Sequence, residues 1–188
     1  MSLYTYVPGR DELVELMVDE VCAELPLAPY GRRGWRRRLE AVAQERRDLW
    51  RSHRWLTEVD VGRPVLGPHS IAAYEHELGA VDGVGLTDVE RDSVVGLVLD
   101  FVRAVVHNES MGHATRTTSG LDEAAWWAAN WPVLAQVLDP ERFPLATRVG
   151  TAVGQQHEAA WDADHAFTFG LGRILDGVAE LVRRRAER

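Results

Sequence analysis

The sequence predicts an all-α protein of about seven to nine helices. Three observations carry that expectation. Apolar residues return at three- and four-residue spacing through long stretches of the chain. Clusters of Pro and Gly punctuate those stretches, as helix ends and connecting loops require. Helix-start chemistry stands where a stretch begins, most clearly in Thr87-Asp88-Val89-Glu90. There the hydroxyl and the carboxylate can satisfy free backbone donors reciprocally.

The first helix is predicted over Asp11–Leu25, behind the turn signal Pro8-Gly9. Asp11 and Glu12 suit the positive end of that helix. It has two apolar stripes, Leu13, Leu16, Met17 and Val21, and Val14, Val18, Cys22 and Leu25. A helix apolar on two sides needs cover on two sides. Pro26, Pro29, Gly31 and Gly34 then make a loop. A second helix is predicted from Trp35 to about His53, with Trp35, Leu39, Val42, Leu49, Trp50 and His53 on its stripe. Its other face carries Arg36, Arg37, Arg38, Glu40, Glu45, Arg46 and Arg47. Acids at helical spacing dilute the Arg cluster, so a solvated face is the better reading than a nucleic-acid patch.

Arg54–Val59 reads as a short helical piece and 62–68 as a loop. Pro68 suits the first turn of a third helix, with Ile71, Tyr74, Leu78 and Val81 as its stripe and Gly83 and Gly85 at its end. The helix behind the Thr87 cap is the most apolar in the chain. Val94, Val98, Phe101 and Val105 lie on one side, and Val95, Leu99, Val102 and Val106 on another. Such a helix is central, or is buried partly against another subunit. Asn108–Gly120 is polar and is predicted as a loop. Leu121–Leu138 follows as a helix with Trp126, Trp127, Trp131, Leu134 and Leu138. Pro132 should kink or split it, because it removes a backbone donor. Asp139-Pro140 reads as the cap of a short helix that Pro144 interrupts, ahead of an Ala/Val/Gly-rich piece to about Gly154. Asp162 or Asp164 caps the last helix, whose stripe is Phe167, Leu171, Ile174, Val178 and Leu181.

With 188 residues, 46% of them hydrophobic, the chain can bury the core of one domain. Its 29 acidic residues outnumber 21 basic ones, a net charge of -8 that opposes DNA binding by the chain as a whole. Every basic residue is Arg. The single cysteine, Cys22, excludes an internal disulfide framework. No signal peptide or membrane-length apolar run is evident, so a soluble cytoplasmic protein without membrane contact is expected.

No nucleophile elbow, phosphate loop or paired-Cys metal motif is present, so no catalytic residue, metal or cofactor is expected. The nearest approach to a metal motif is His157-Glu158 with Asp162, Asp164 and His165, which lacks the two-His spacing of a helical zinc site. Scattered histidines keep a metal-dependent helical-bundle enzyme as an alternative. Seven Trp are the more informative excess. They fill core volume, or they line an aromatic cavity for an apolar ligand. The candidates for that cavity are Trp50, Phe101, Trp127 and Trp131, with His107, Asn108 and Met111 as polar or soft anchors. So many large rings on kinked and Gly-interrupted helices are hard to pack without voids.

Two runs at opposite ends carry a family resemblance. Leu3-Tyr4-Thr5-Tyr6-Val7-Pro8-Gly9-Arg10-Asp11-Glu12-Leu13 resembles the close of the DNA-reading helix and the next helix start in tetracycline-repressor (TetR) family regulators. Phe167-Thr168-Phe169-Gly170-Leu171-Gly172-Arg173-Ile174-Leu175-Asp176-Gly177 resembles the final helix of the TetR-type sensor domain. The resemblance implies that residues 1–10 are a remnant of the reader and that 11–188 form a ligand-binding and dimerisation domain. It carries Tyr4, Tyr6 and Arg10 over as DNA-contacting residues, provided a complete helix-turn-helix is present. It further implies a bacterial repressor acting as a homodimer, with a small-molecule effector inside each subunit and operator DNA as partner. The two subunits would meet in a four-helix bundle of the central apolar helix and the last helix. Val95, Leu99, Val102, Val106, Gly170, Ile174, Gly177 and Leu181 are the candidate interface residues. A headless regulator that dimerises without reading DNA is a further alternative.

Overall fold

Every described segment of regular structure is helical, and each helix begins where the local chemistry allows it. The computed structural model describes residues 7, 9 to 59, 63 to 157 and 159 to 187. Among them are α1 (Arg10–Cys22), α2 (Trp35–Ser52), α3 (Pro68–Gly79), α4 (Asp88–Ser119), α5 (Glu123–Val137), α6 (Pro144–His157) and α7 (Ala163–Ala186), plus a 3-10 turn over Arg54–Thr57. The all-α expectation holds, and no described residue is in a strand.

The Thr87 capping box forms as expected. Thr87 N–H donates to Glu90 Oε2 at 2.9 Å, and Glu90 N–H donates to Thr87 Oγ1 at 3.3 Å. Arg185, near the end of α7, also pairs with Glu90. Together the Arg185 guanidinium and the Thr87 N–H hold the Glu90 carboxyl down to about 2. Asp162 rather than Asp164 caps α7, accepting from His165 N–H at 2.6 Å.

Three boundaries differ from expectation. The polar run 108–120 is not a loop, since α4 continues to Ser119 and Gly120 ends it at φ 66°. Thr115 and Thr117 donate their hydroxyls to the Met111 and His113 carbonyls, four residues back, so the polar side chains sit within the helix. α5 runs unbroken through Pro132. Asp139-Pro140 forms a turn, with Asp139 Oδ1 accepting from Glu141 N–H at 2.9 Å, and Pro144 opens α6 instead of interrupting a helix.

The backbone divides into two units. The first holds the described residues up to His107 and from Phe169 onward, and the second holds Asn108–Thr168. In the first unit, Leu39, Val42, Val98, Val102, Val106 and Leu175 are fully buried. A satellite cluster joins Leu25, Leu49 and Ala73, with Val21 and Leu27 packed against it. Arg36 of α2 donates to Asp176 of α7 at 2.8 Å.

Helix faces were harder to read than helix bounds. On α3 the expected stripe is open, with Ile71 and Tyr74 exposed, and the buried residues are Ala73 and Glu77. On α1, Leu16 and Met17 are exposed while Asp19 is buried. On α2 the expected solvated face is only partly so, because Arg47 is buried and Arg46 faces Glu77. On α7, Leu175 is buried where Ile174 was expected, and Ile174 is half-buried.

Asp19 explains how α1 holds α3. The N-cap of α3 is Gly67, which has no side chain to cap with. Asp19 Oδ1 fills that role from 51 residues away, accepting the Ser70 N–H at 2.8 Å. A Cβ on Gly67 would lie 2.0 Å from the Asp19 carboxylate, so only glycine fits beside it. Burial, the largest single influence, pushes the Asp19 carboxyl up, but the hydrogen bonds from Ser70 and His69 together with the nearby His69 charge outweigh it, and the net shift is downward from 3.8. A depressed folded-state pKa gives stability that is present above the unfolded value and is lost as pH falls through the folded one. Asp19→Ala is therefore expected to cost about 1 to 2 kcal/mol at neutral pH. The difference from wild type should shrink as pH falls below the ordinary carboxylate range and through the lower folded-state value, where Asp19 takes up its proton. Urea titrations at neutral and acidic pH check it, and equal differences at both would refute the charge-dependent cap.

Candidate functional site

The second unit places large apolar side chains opposite small ones. Asp122 caps α5, its carboxylate accepting from Ala125 N–H at 2.8 Å. From that start Trp127, Trp131, Leu134 and Leu138 recur at helical spacing and form one wall of a cavity of about 560 Å³. Trp126 meets Trp127 edge-on, with ring centroids 5.1 Å apart. The facing wall comes from α6, where Thr147, Gly150, Thr151 and Gly154 form a stripe of their own, joined by Val153 and Gln155. Ala159 and Ala160, just past α6, complete the lining.

Among the described residues no charged side chain lines this cavity, and its polar atoms are few. Thr147 Oγ1 donates to the Phe143 carbonyl at 3.0 Å, and Thr151 Oγ1 to the Thr147 carbonyl at 2.8 Å. With those hydrogens engaged in the helix, the hydroxyl oxygens are left as acceptors. Trp131 is 55% exposed, and Gly150, Thr151 and Gly154 opposite are exposed too, so the cavity is open to solvent. The arrangement suits a neutral aromatic molecule stacked on indole and hydrogen-bonded at its edge.

Of the expected ligand residues, the structure brings Trp127 and Trp131 together in one cavity. Trp50 instead lines a smaller hollow of about 160 Å³ in the first unit, beside Val18, Arg46, Leu56, Val59 and Arg103. Phe101 packs against Gly170, and His107 Nδ1 lies 3.5 Å from Thr57 Oγ1. Asn108 and Met111 are exposed positions on α4, not loop anchors. Trp126 and Trp131 are exposed, so they do not fill core volume. The α6 wall was missed because its apolar repeat, Leu145, Val149 and Val153, does not include the threonines and glycines that form most of the wall. The Thr147/Gly150/Thr151/Gly154 spacing was the signal that could have found them.

The expected interface residues also separate. Val95, Val102 and Val106 are buried in the chain's own core and present nothing to a partner. Gly170 is likewise taken, since a Cβ there would lie 2.4 Å from the Phe101 ring. Leu99, Ile174 and Leu181 are half-buried and Gly177 is exposed. Arg10 is the exposed first residue of α1, while Tyr4 and Tyr6 lie outside the described residues. Among the described residues no group of three or more His, Cys, Asp or Glu could hold a metal. His157 and His165 do meet, with ring centroids 4.7 Å apart. No helix of the described residues is long and apolar enough to cross a membrane.

Comparison with known proteins places this architecture. Residues 26–182 match the family described as the tetracyclin repressor-like C-terminal domain. The chain is 38% identical over 187 residues to the HTH-type transcriptional repressor DrrR1 of Streptomyces coeruleorubidus, covering 98% of this chain and 67% of that protein. It is 27% identical over 110 residues to an HTH-type transcriptional regulator of Saccharopolyspora erythraea, covering 58% of this chain and 47% of that protein. Among solved structures, ActR from Streptomyces coelicolor in complex with actinorhodin superposes with TM-score 0.75 at 23% identity, over 96% of this chain and 80% of that one. Apo ActR superposes with TM-score 0.73 at 22% identity, over 96% of this chain and 80% of that one. At that identity the superposition speaks for the fold, whereas the family match covers most of the chain's length. The chain belongs to the TetR family, through its tetracyclin repressor-like C-terminal domain.

Proposed function

We propose that this chain is the effector-sensing and dimerising part of a TetR-type transcriptional repressor, and that its effector is a neutral aromatic molecule held in the α5–α6 cavity. The observation that carries the reading is the cavity itself, about 560 Å³, walled by Trp127 and Trp131 and free of charged side chains among the described residues. Its relative DrrR1 is named a transcriptional repressor, and ActR has been solved with actinorhodin bound. No enzymatic role is invoked. Operator DNA would be read by a complete helix-turn-helix ahead of α1. The effector relieves repression by binding one arrangement of the protein more tightly than the DNA-bound one. In a homodimer, the open positions Ile174, Gly177 and Leu181 on α7 and Leu99 on α4 would face the partner.

The test uses the purified chain and a panel of flat aromatic compounds, read by tryptophan fluorescence and melting temperature. A true effector at one hundred times its Kd should stabilise the fold by about 2.7 kcal/mol. Trp127→Ala should weaken binding by about tenfold or more, the loss expected for a stacking surface in a pocket. The variant's own melting temperature should move little, since Trp127 is only half-buried. Silence from the whole panel in both signals would remove the cavity from consideration as the effector site.

A further inference from the structure

His157 is the last residue of α6, and His165 lies in the first turn of α7. Their ring centroids are 4.7 Å apart and their planes are 50° apart. Both belong to the second unit. His157 is half-buried and His165 is exposed, so water and dissolved ions reach the pair. The distance suits two ligands of one metal ion. An imidazole nitrogen binds a transition ion at about 2.0 to 2.1 Å, which puts the ring centre about 3.2 Å from the metal. Two such rings stand with centres about 4.5 Å apart at a right-angled ligand pair and about 5.2 Å apart at a tetrahedral one. The observed separation falls between the two. The tilt suits it as well. A metal lies in the plane of each ring that ligates it, so rings stacked flat have no point to share. Tyr30 and His76 are stacked in that way, with planes 22° apart. The planes of His157 and His165 cross.

We infer that His157 and His165 form a two-histidine site for a divalent transition-metal ion, with water in its remaining positions. Nitrogen donors select Zn2+, Ni2+ and Cu2+ over Mg2+ and Ca2+, which take oxygen ligands. A closed structural zinc site takes four protein ligands, so a pair of donors holds its ion reversibly. The local charges favour a cation. His157 stands at the carbonyl end of α6, and Asp162 and Asp164 offset the positive start of α7. Asp162 Oδ1 accepts from His165 N–H at 2.6 Å and so fixes the backbone that carries the second ring. The sequence shows no helical zinc spacing because the two ligands come from successive helices, not from one. An ion here ties the end of α6 to the start of α7. Ala159 and Ala160, between the histidines in sequence, line the cavity, so the ion also fixes that end of its wall. The inference stands apart from the effector reading, and its test uses no effector.

The experiment titrates the tag-free chain with Zn2+ by calorimetry, with Mg2+ as the oxygen-seeking control. Wild type should take up a single Zn2+ per chain and no Mg2+, and its melting temperature should climb with Zn2+ concentration. His157→Gln and His165→Gln should each weaken Zn2+ binding by at least about tenfold, since even an outer partner of a metal ligand costs that much. His113→Gln, at an exposed position on α4, should bind as wild type does. A second measurement needs no variant and so does not depend on one folding. Zn2+ should shield His157 and His165 of wild type from acylation by diethyl pyrocarbonate, read by mass spectrometry, while His113 stays reactive. No Zn2+ uptake, an equal uptake of Mg2+, or Zn2+ binding that survives in both His157→Gln and His165→Gln overturns the site. Zn2+ that binds but shields neither ring overturns it too.

Discussion

Glu77→Ala is expected to cost about 3 to 5 kcal/mol of folding stability, the penalty for leaving one partner of a buried ion pair uncompensated. Arg46 Nε lies 2.5 Å from Glu77 Oε1, and the two side chains are only 12% and 5% exposed. The same guanidinium donates to Cys22 Sγ at 3.8 Å and lies 5.9 Å from the Trp50 ring centroid, so α1 and two turns of α2 share it. Burial works against the Arg46 charge, yet Glu77 more than offsets this and holds the guanidinium protonated. Removing the carboxylate leaves that charge in apolar surroundings with no opposite charge beside it. Replacing both partners with apolar residues of similar volume, Arg46→Met with Glu77→Leu, should recover most of the loss. Urea denaturation of the single and double variants measures it. A single-variant loss under about 1 kcal/mol would mean that solvent screens the pair, as it does at an exposed one.

Leu175→Ala should cost about 2 to 5 kcal/mol, from lost transfer energy and the cavity left behind. Leu175 is completely buried, and Leu171 and Val178 flank it on the same face of α7. Ile174→Ala, one position earlier, should cost less in folding because Ile174 is half-buried. Its effect should appear in the association of two copies, read by sedimentation at micromolar concentration. If the two variants exchange effects, with Ile174 the costly one in folding, then α7 is turned the other way about its axis.

That pair of variants marks the boundary between what was legible and what was not. The sequence pattern placed α2 from Trp35, α3 from Pro68 and α4 behind the Thr87 box, and each starts there. These starts depend on groups within a few residues of one another: a proline at the first helical position, a hydroxyl and a carboxylate three residues apart. The reach of α4 to Ser119 was hidden because a polar run shows no apolar stripe, though its threonines could satisfy the backbone locally. The tryptophans were read correctly as an unusual excess. Trp127 and Trp131 fall together because they are one helical turn apart, whereas their opposite wall lies on another helix.

The chain's own order thus determined that it is all-helical, where most helices begin, and that its ends match a TetR-type regulator. Backbone hydrogen bonding and capping act over a handful of residues, so they are written in the local order. Only the tertiary structure decided which face of each helix is buried, that Asp19 caps a helix 51 residues on, that Arg46 finds Glu77, and that two glycines face two tryptophans. Those outcomes depend on pairs far apart in sequence. A helix with two apolar stripes satisfies the same local rules whichever stripe turns inward, and the choice falls to the packing of its neighbours.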